Sequence, residues 1–77
     1  EYPRSVAGTR IALFFRDLGH GKVKVSFRST GDSDVNLLAR RFGGGGHARA
    51  AGALIEGTLA EVKAAVMAAA REQLAGD

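Results

Sequence analysis

No cysteine occurs in the chain, so neither a disulfide nor a thiolate zinc site can reinforce the fold. Tryptophan is absent and proline occurs once, as Pro3. The longest strictly apolar runs, such as Ile11 to Phe15, fall far short of the roughly 18 residues that a membrane span requires. The first residues carry no basic-then-apolar leader, and a cytoplasmic location is the expectation. Acidic residues form no block, and no internal repeat is visible. With 77 residues there is room for one small domain. At this size folding buries only about 60% of the unfolded surface, and a single core rarely supplies more than about 3–5 kcal/mol. A binding module, or the terminal piece of a longer protein, is the natural reading. A complete enzyme of this length would be unusual.

Apolar residues make up 45% and charged residues 25%, which places the chain among folded rather than disordered sequences. The net charge of +3 comes with eight arginines against three lysines. That preference points to anionic partners, because the planar guanidinium fork matches phosphate oxygens where an ammonium is only a point charge.

Residues 1–9, with Pro3 and Gly8, show no periodicity and read as a linker stub; the domain is expected over 10–77. Ile11, Leu13 and Phe15 alternate with Ala12 and Phe14, also apolar, so this strand is expected to be covered on both faces. After the turn residues Leu18-Gly19-His20-Gly21, Val23, Val25 and Phe27 alternate with Lys22, Lys24, Ser26 and Arg28, giving a second strand with one buried and one polar face. Ser33 or Asp34 can cap a helix carrying Val35, Leu38, Ala39 and Phe42 at helical spacing, which stops at Gly43. Residues 47–51 read as a short helix or single turn, and residues 53–56 as a third strand. Thr58 to Glu61 is a capping box opening a final helix to about Leu74, with Leu59, Val62, Val66, Ala69 and Ala70 along its inner face. The expectation is an α+β fold: a small mixed sheet of three strands in the order ββα(α)βα, with helices packed on it.

Phe42-Gly-Gly-Gly-Gly-His47 is the segment that ordinary folding does not require. Ordering consecutive glycines forfeits chain entropy. A physical reason to keep them is that bare backbone can approach a ligand closely and turn amides toward an anion. His47, at the exit of the run, can donate to a phosphate oxygen or stack on a base. Arg28 and Ser29 end the second strand, where a guanidinium and a hydroxyl can hold a phosphate from the opposite side. Arg40, Arg41 and Arg49 flank the glycines and form a candidate positive rim. Asp32 to Asn36 resembles the start of a calcium loop, but Leu37 and Gly43 stand where glycine and a bidentate glutamate are needed, so helix capping is the reading taken. His20, in a turn, is expected to be exposed and idle. No nucleophile-base arrangement and no metal-ligand spacing occurs, so catalytic and metal-binding residues are expected to be none.

Taken together, Val23 to Ser29, Asp34 to Ala39, Phe42 to His47 and Ala50 to Gly52 resemble the C-terminal substrate-binding, DHH-associated domain of the DHH phosphoesterase family. The resemblance is closest to the branch of nanoRNases, pAp phosphatases and cyclic-dinucleotide phosphodiesterases. It implies an N-terminal DHH catalytic domain with manganese, and a C-terminal domain that holds the nucleotide or short single-stranded nucleic acid across a cleft. Carried over, Arg28 and Ser29 would contact phosphate or sugar, Gly44, Gly45 and Gly46 would offer backbone, and His47 would face the phosphate next to the reaction centre. The Asp-His-His motif is missing, so this chain is expected to bind and not to cut, with no cofactor of its own. A K-homology-like RNA-binding module, in which a glycine loop between helices clamps the backbone, and the accessory domain of alanyl-tRNA synthetases are the alternatives.

Overall fold

The computed structural model describes residues 4–6 and 9–76. Five strands and two helices follow in the order β1 (Arg4–Val6), β2 (Thr9–Gly19), β3 (Lys22–Thr30), α1 (Val35–Arg40), β4 (Gly45–Gly46), β5 (Ala50–Glu56) and α2 (Leu59–Gly76). They form one sheet in the order β1-β2-β3-β5-β4, with every neighbouring pair antiparallel.

The β2–β3 hairpin turns at His20 and Gly21, whose φ angles of 55° and 73° are both left-handed. Positive φ at both central residues gives the turn a twist that matches the flanking strands, and glycine adopts it without strain. Register then places Leu13 opposite Phe27 and Phe15 opposite Val25. Ile11, Leu13, Val23, Val25 and Phe27 are fully buried on one face of the sheet. Val35, Leu38 and Ala39 of α1 and Val62, Val66, Ala69, Ala70 and Leu74 of α2 join them in a single core cluster. Each large side chain buried there contributes about 1.5–3 kcal/mol.

Both helices serve that one face, and the other face of the sheet is left without a layer. Phe14 is accordingly 40% exposed, which corrects the expectation that β2 would be covered on both sides. Two helices suffice for one face of a sheet this small, and the described residues supply no third.

The expected three-stranded mixed sheet is also corrected. Gly45 and Gly46 pair with Gly52 and Ala51, and β5 begins at Ala50. Of the short helix or single turn expected over 47–51, the structure has a turn, the tip of a hairpin, with residues 50–51 in strand. The parallel component disappears for the same reason. A lone helical crossover from β3 would return a strand parallel to it, and the β4–β5 hairpin adds one more reversal. Alanine at 50 and 51 favours helix locally, but the ladder from Arg28 to Lys22 along β3 recruits these residues as strand. At the start of the chain, Arg4–Val6 pairs with residues 9–11 as an edge strand, inside the segment expected to be a linker. The rest of that expectation, residues 1–3 and 7–8, lies outside the described residues.

Helix ends follow the capping signals. Asp34 is the N-cap of α1, its carboxylate accepting from the Asn36 amide at 2.8 Å. The buried Ser33 hydroxyl accepts from Gln73 Nε2, which also donates to the Asp34 carbonyl, both at 2.8 Å, tying α2 to the start of α1. Thr58 Oγ1 accepts from the Glu61 amide at 3.1 Å, and Glu61 Oε1 accepts from the Thr58 amide at 3.0 Å. The Thr58 amide, and then its hydroxyl, hold the Glu61 carboxyl below its ordinary value. A carboxylate lowered on folding adds stability above its unfolded pKa and loses it as the pH falls through the folded value. Thr58→Ala should lower unfolding stability by about 1 kcal/mol. In thermal melts across an acid series, the Tm advantage of wild type over Glu61→Gln should shrink as the pH drops below the ordinary carboxylate range.

Candidate functional site

The site predicted from sequence has two halves, the Arg28-Ser29 strand end and the glycine run with His47. Pairing along the sheet brings them together. Arg28 lies opposite Ala50 on β5, and the Ser29 amide donates to the Arg49 carbonyl at 3.0 Å. Ala50 in turn exchanges two backbone hydrogen bonds with His47, at 2.7 and 3.2 Å, which close the tip of the β4–β5 hairpin. His47, Ala48 and Arg49 form that tip and are exposed, as is Arg28. The Ala48 carbonyl accepts from the Val35 amide at 2.9 Å, anchoring the tip to the first turn of α1.

The four glycines are retained for different reasons. Gly43, with φ of 82°, ends the α1 segment in the left-handed region. A side chain on Gly44 would run into the Gly52 carbonyl and Ala53. Gly46 combines a φ of 156° with backbone of Ala50 and Ala51 within 2.8 Å of where a Cβ would stand. Gly45 is different: its φ is not left-handed, and a Cβ would meet only Asn36 Oδ1 at 3.5 Å and Arg40 Cγ at 3.9 Å, ordinary contact distances.

The loop amides are engaged within the protein. Gly43 donates to the Arg40 carbonyl at 3.2 Å, Gly44 to the Ala39 carbonyl at 3.0 Å, and Gly46 to Asn36 Oδ1 at 3.0 Å. Because bonded and non-bonded pairs alternate in an antiparallel ladder, the His47–Ala50 pair makes Gly45–Gly52 the next bonded pair. The expected cradle of outward-turned amides is therefore corrected to a floor of backbone without side chains, its donors already satisfied. The K-homology alternative fails on the same segment, since strand and not helix follows the glycines.

The remaining candidates divide by what they touch. Ser29 is buried, and its hydroxyl donates to the Ser33 carbonyl at 2.7 Å, closing the turn that leads into α1. With that proton committed, its oxygen can only accept. Arg40 stands beside Gly45, and Arg49 stands at the hairpin tip. Arg41 turns toward α2, with Glu72 at 3.6 Å, and so leaves the rim. His20 is exposed at the far end of the β2–β3 hairpin. Among the described residues no group of three or more His, Cys, Asp or Glu comes together that could hold a metal ion. The resemblance assigns manganese to a separate catalytic domain, and the described residues gather no ligand set for it.

Asn36 carries no signal in the sequence as a site residue. A single asparagine in a helical first turn belongs to no pattern, and its value comes from a glycine ten residues later whose amide it receives. Phe14 reads from sequence only as a core candidate, although its outward register is written in the alternation with Leu13 and Phe15.

The chain is also similar in sequence to known proteins. Residues 1–76 match the DHHA1 domain. Over 72 residues, 92% of this chain, the sequence is 42% identical to the bifunctional oligoribonuclease and PAP phosphatase NrnA of Thermus thermophilus. The matched region is 22% of that relative's length. Matched along nearly all of its length, the chain belongs to the DHHA1 family, the DHH-associated domains, on the branch that includes oligoribonucleases.

Proposed function

We propose that this chain is the substrate-binding domain of a DHH phosphoesterase acting on short oligonucleotides or nucleoside phosphates, with the nucleotide held at the β4–β5 hairpin tip. The observation that carries the reading is the pairing of Arg28 with Ala50, which sets an exposed guanidinium beside the exposed His47 and Arg49. Arg28 offers a planar fork to phosphate from the sheet side of the tip. Arg40 and the bare backbone of Gly45 approach from the helix side, and His47 donates at the tip. Ser29, buried on the core face with its hydroxyl on the Ser33 carbonyl, supports Arg28 by fixing the strand end. The domain's contribution to a reaction is positional: it fixes the phosphate and orients the leaving nucleotide, turning an encounter into a held geometry. The hydrolytic groups, with the manganese they would bind, belong to a DHH domain in the parent chain. A cytoplasmic location fits such substrates, and none of the described helices is long and apolar enough to cross a membrane.

Two glycine substitutions separate binding from folding. Gly44→Ala should destabilise the fold, because its methyl would press into the Gly52 carbonyl. Gly45→Ala should leave the Tm unchanged or slightly raised, since the site has room and the unfolded chain loses freedom. If ligand uses that side of the tip, Gly45→Ala nevertheless weakens nucleoside monophosphate binding by about 1–3 kcal/mol, and Arg28→Lys does likewise by removing the fork. Calorimetric titration alongside thermal melts checks both. Folded variants with wild-type affinity would return both residues to purely structural roles.

A second expectation concerns chemistry. The 77-residue chain on its own should bind nucleotide without hydrolysing it when manganese is supplied. Product formation that scales with the amount of chain and survives repurification would defeat this assignment.

A further inference from the structure

The open face of the sheet carries chemistry that the hairpin tip does not use. On β2, Arg10, Ala12, Phe14 and Arg16 point away from the core; in register with them on β3 stand Thr30, Arg28, Ser26 and Lys24. Phe14 keeps 40% of its surface exposed in the middle of this face. Its cross-strand neighbour is Ser26, and beyond Ser26 lies Gly52, so the floor beside the ring is low and flat. Phe14, Ser26 and Arg28 line an open depression of about 340 Å³. Arg28 also borders a hollow of about 60 Å³ shared with Arg10, Ala12, Ser29 and Thr30. Phe14 is thus the diagonal cross-strand neighbour, about 7–8 Å away, of the arginine assigned to phosphate.

Charge decides what would lie there. The face carries Arg10, Arg16, Lys24 and Arg28, no acidic residue occurs over residues 10–16 or 24–30, and Glu56 lies only at the far end, in register with Lys22. Leu54, 55% exposed, stands opposite Lys24 on the same face. A protein partner would nonetheless be expected to meet an apolar centre depleted of charge, whereas here the Phe14 ring and Leu54 are interleaved with cations. An exposed aromatic face with guanidinium groups around it is suited to single-stranded nucleic acid, which offers a base to stack and phosphates to neutralise.

We propose that Phe14 is a stacking platform for a second nucleotide, so that a single-stranded oligonucleotide held at the hairpin tip continues over Arg28 onto the open sheet face. Its next base lies on the Phe14 ring, and Arg10, Arg16 and Lys24 neutralise the phosphates that follow. This rests on the reading of Arg28 as a phosphate contact. It gives the domain a preference for oligonucleotides over mononucleotides.

The test uses the natural protein in which this chain occurs, with EDTA present to prevent turnover. A fluorescein-labelled pentanucleotide and an unlabelled nucleoside 5′-monophosphate are titrated against wild type, Phe14→Leu, Phe14→Trp, Arg28→Lys and the exposed control Leu37→Ala. Phe14→Leu should weaken the pentanucleotide roughly tenfold, the scale of one base-aromatic stack, and leave the mononucleotide within about twofold. Phe14→Trp should restore the pentanucleotide affinity, and Leu37→Ala should change neither ligand. If Phe14→Leu binds the pentanucleotide as wild type does while Arg28→Lys loses the mononucleotide, the stacking platform is overturned and the hairpin-tip site stands. If Arg28→Lys binds the mononucleotide as well as wild type, the underlying site fails and the platform with it. Equal loss of both ligands in Phe14→Leu, together with a lowered Tm, would show the ring packing against another part of the protein and would also overturn the platform.

Discussion

The close backbone approach between the glycine run and β5 is the constraint on which the rest of this small structure depends. Gly44 can lie against the Gly52 carbonyl and Ala53 only because Gly44 carries no side chain. That approach lets Gly45 and Gly46 pair with β5 and lets His47 and Ala50 close the tip. The reversal created there makes β5 antiparallel to β3 and sets Ala50 opposite Arg28. Lengthening the separation by one methyl group at Gly44 would therefore disturb the register of a central strand as well as a surface loop. The candidate site and the sheet order share one contact.

Much of the framework could be read from residue order. The β2–β3 hairpin, the Asp34 cap, the Thr58–Glu61 box and the inner face of α2 all rest on local patterns, and each is present in the structure. What could not be read depends on partners distant in sequence. Two glycines have no alternation to mark them as β4, and Ala50 and Ala51 lean toward helix until β3 supplies a ladder. Phe14 escapes the burial expected of it because apolar identity is not burial, and the number of helices available decides how many faces can be covered.

The candidate site was legible in its residues and not in its contacts. Arg28, His47 and the glycines were identifiable by type, and their meeting is a property of strand pairing alone. The role expected of the amides is not the one found, because Ala39, Arg40 and Asn36 take the loop donors. A satisfied amide gains little from a ligand, so what the glycines offer is proximity. On the proposed reading, the side chains around the tip, and not the backbone dipoles, would carry charge recognition.

The proposed use of the side chains also bears on the bare face of the sheet. In a chain this small, a third helix on that face would add core but would cover Arg28, which the proposed reading requires to be open to solvent. Leaving the face open keeps four cations exposed together, and their mutual repulsion is a standing electrostatic cost that water and salt only partly screen. The β-ladder holds Arg10, Arg16, Lys24 and Arg28 on one surface at fixed pleat spacing, so they cannot spread apart as they would on a flexible tail. An anion laid across them relieves the repulsion without any conformational change in the protein. Binding of that kind is preorganised, and its strength should fall with rising salt because it draws on the same charges that salt would otherwise screen.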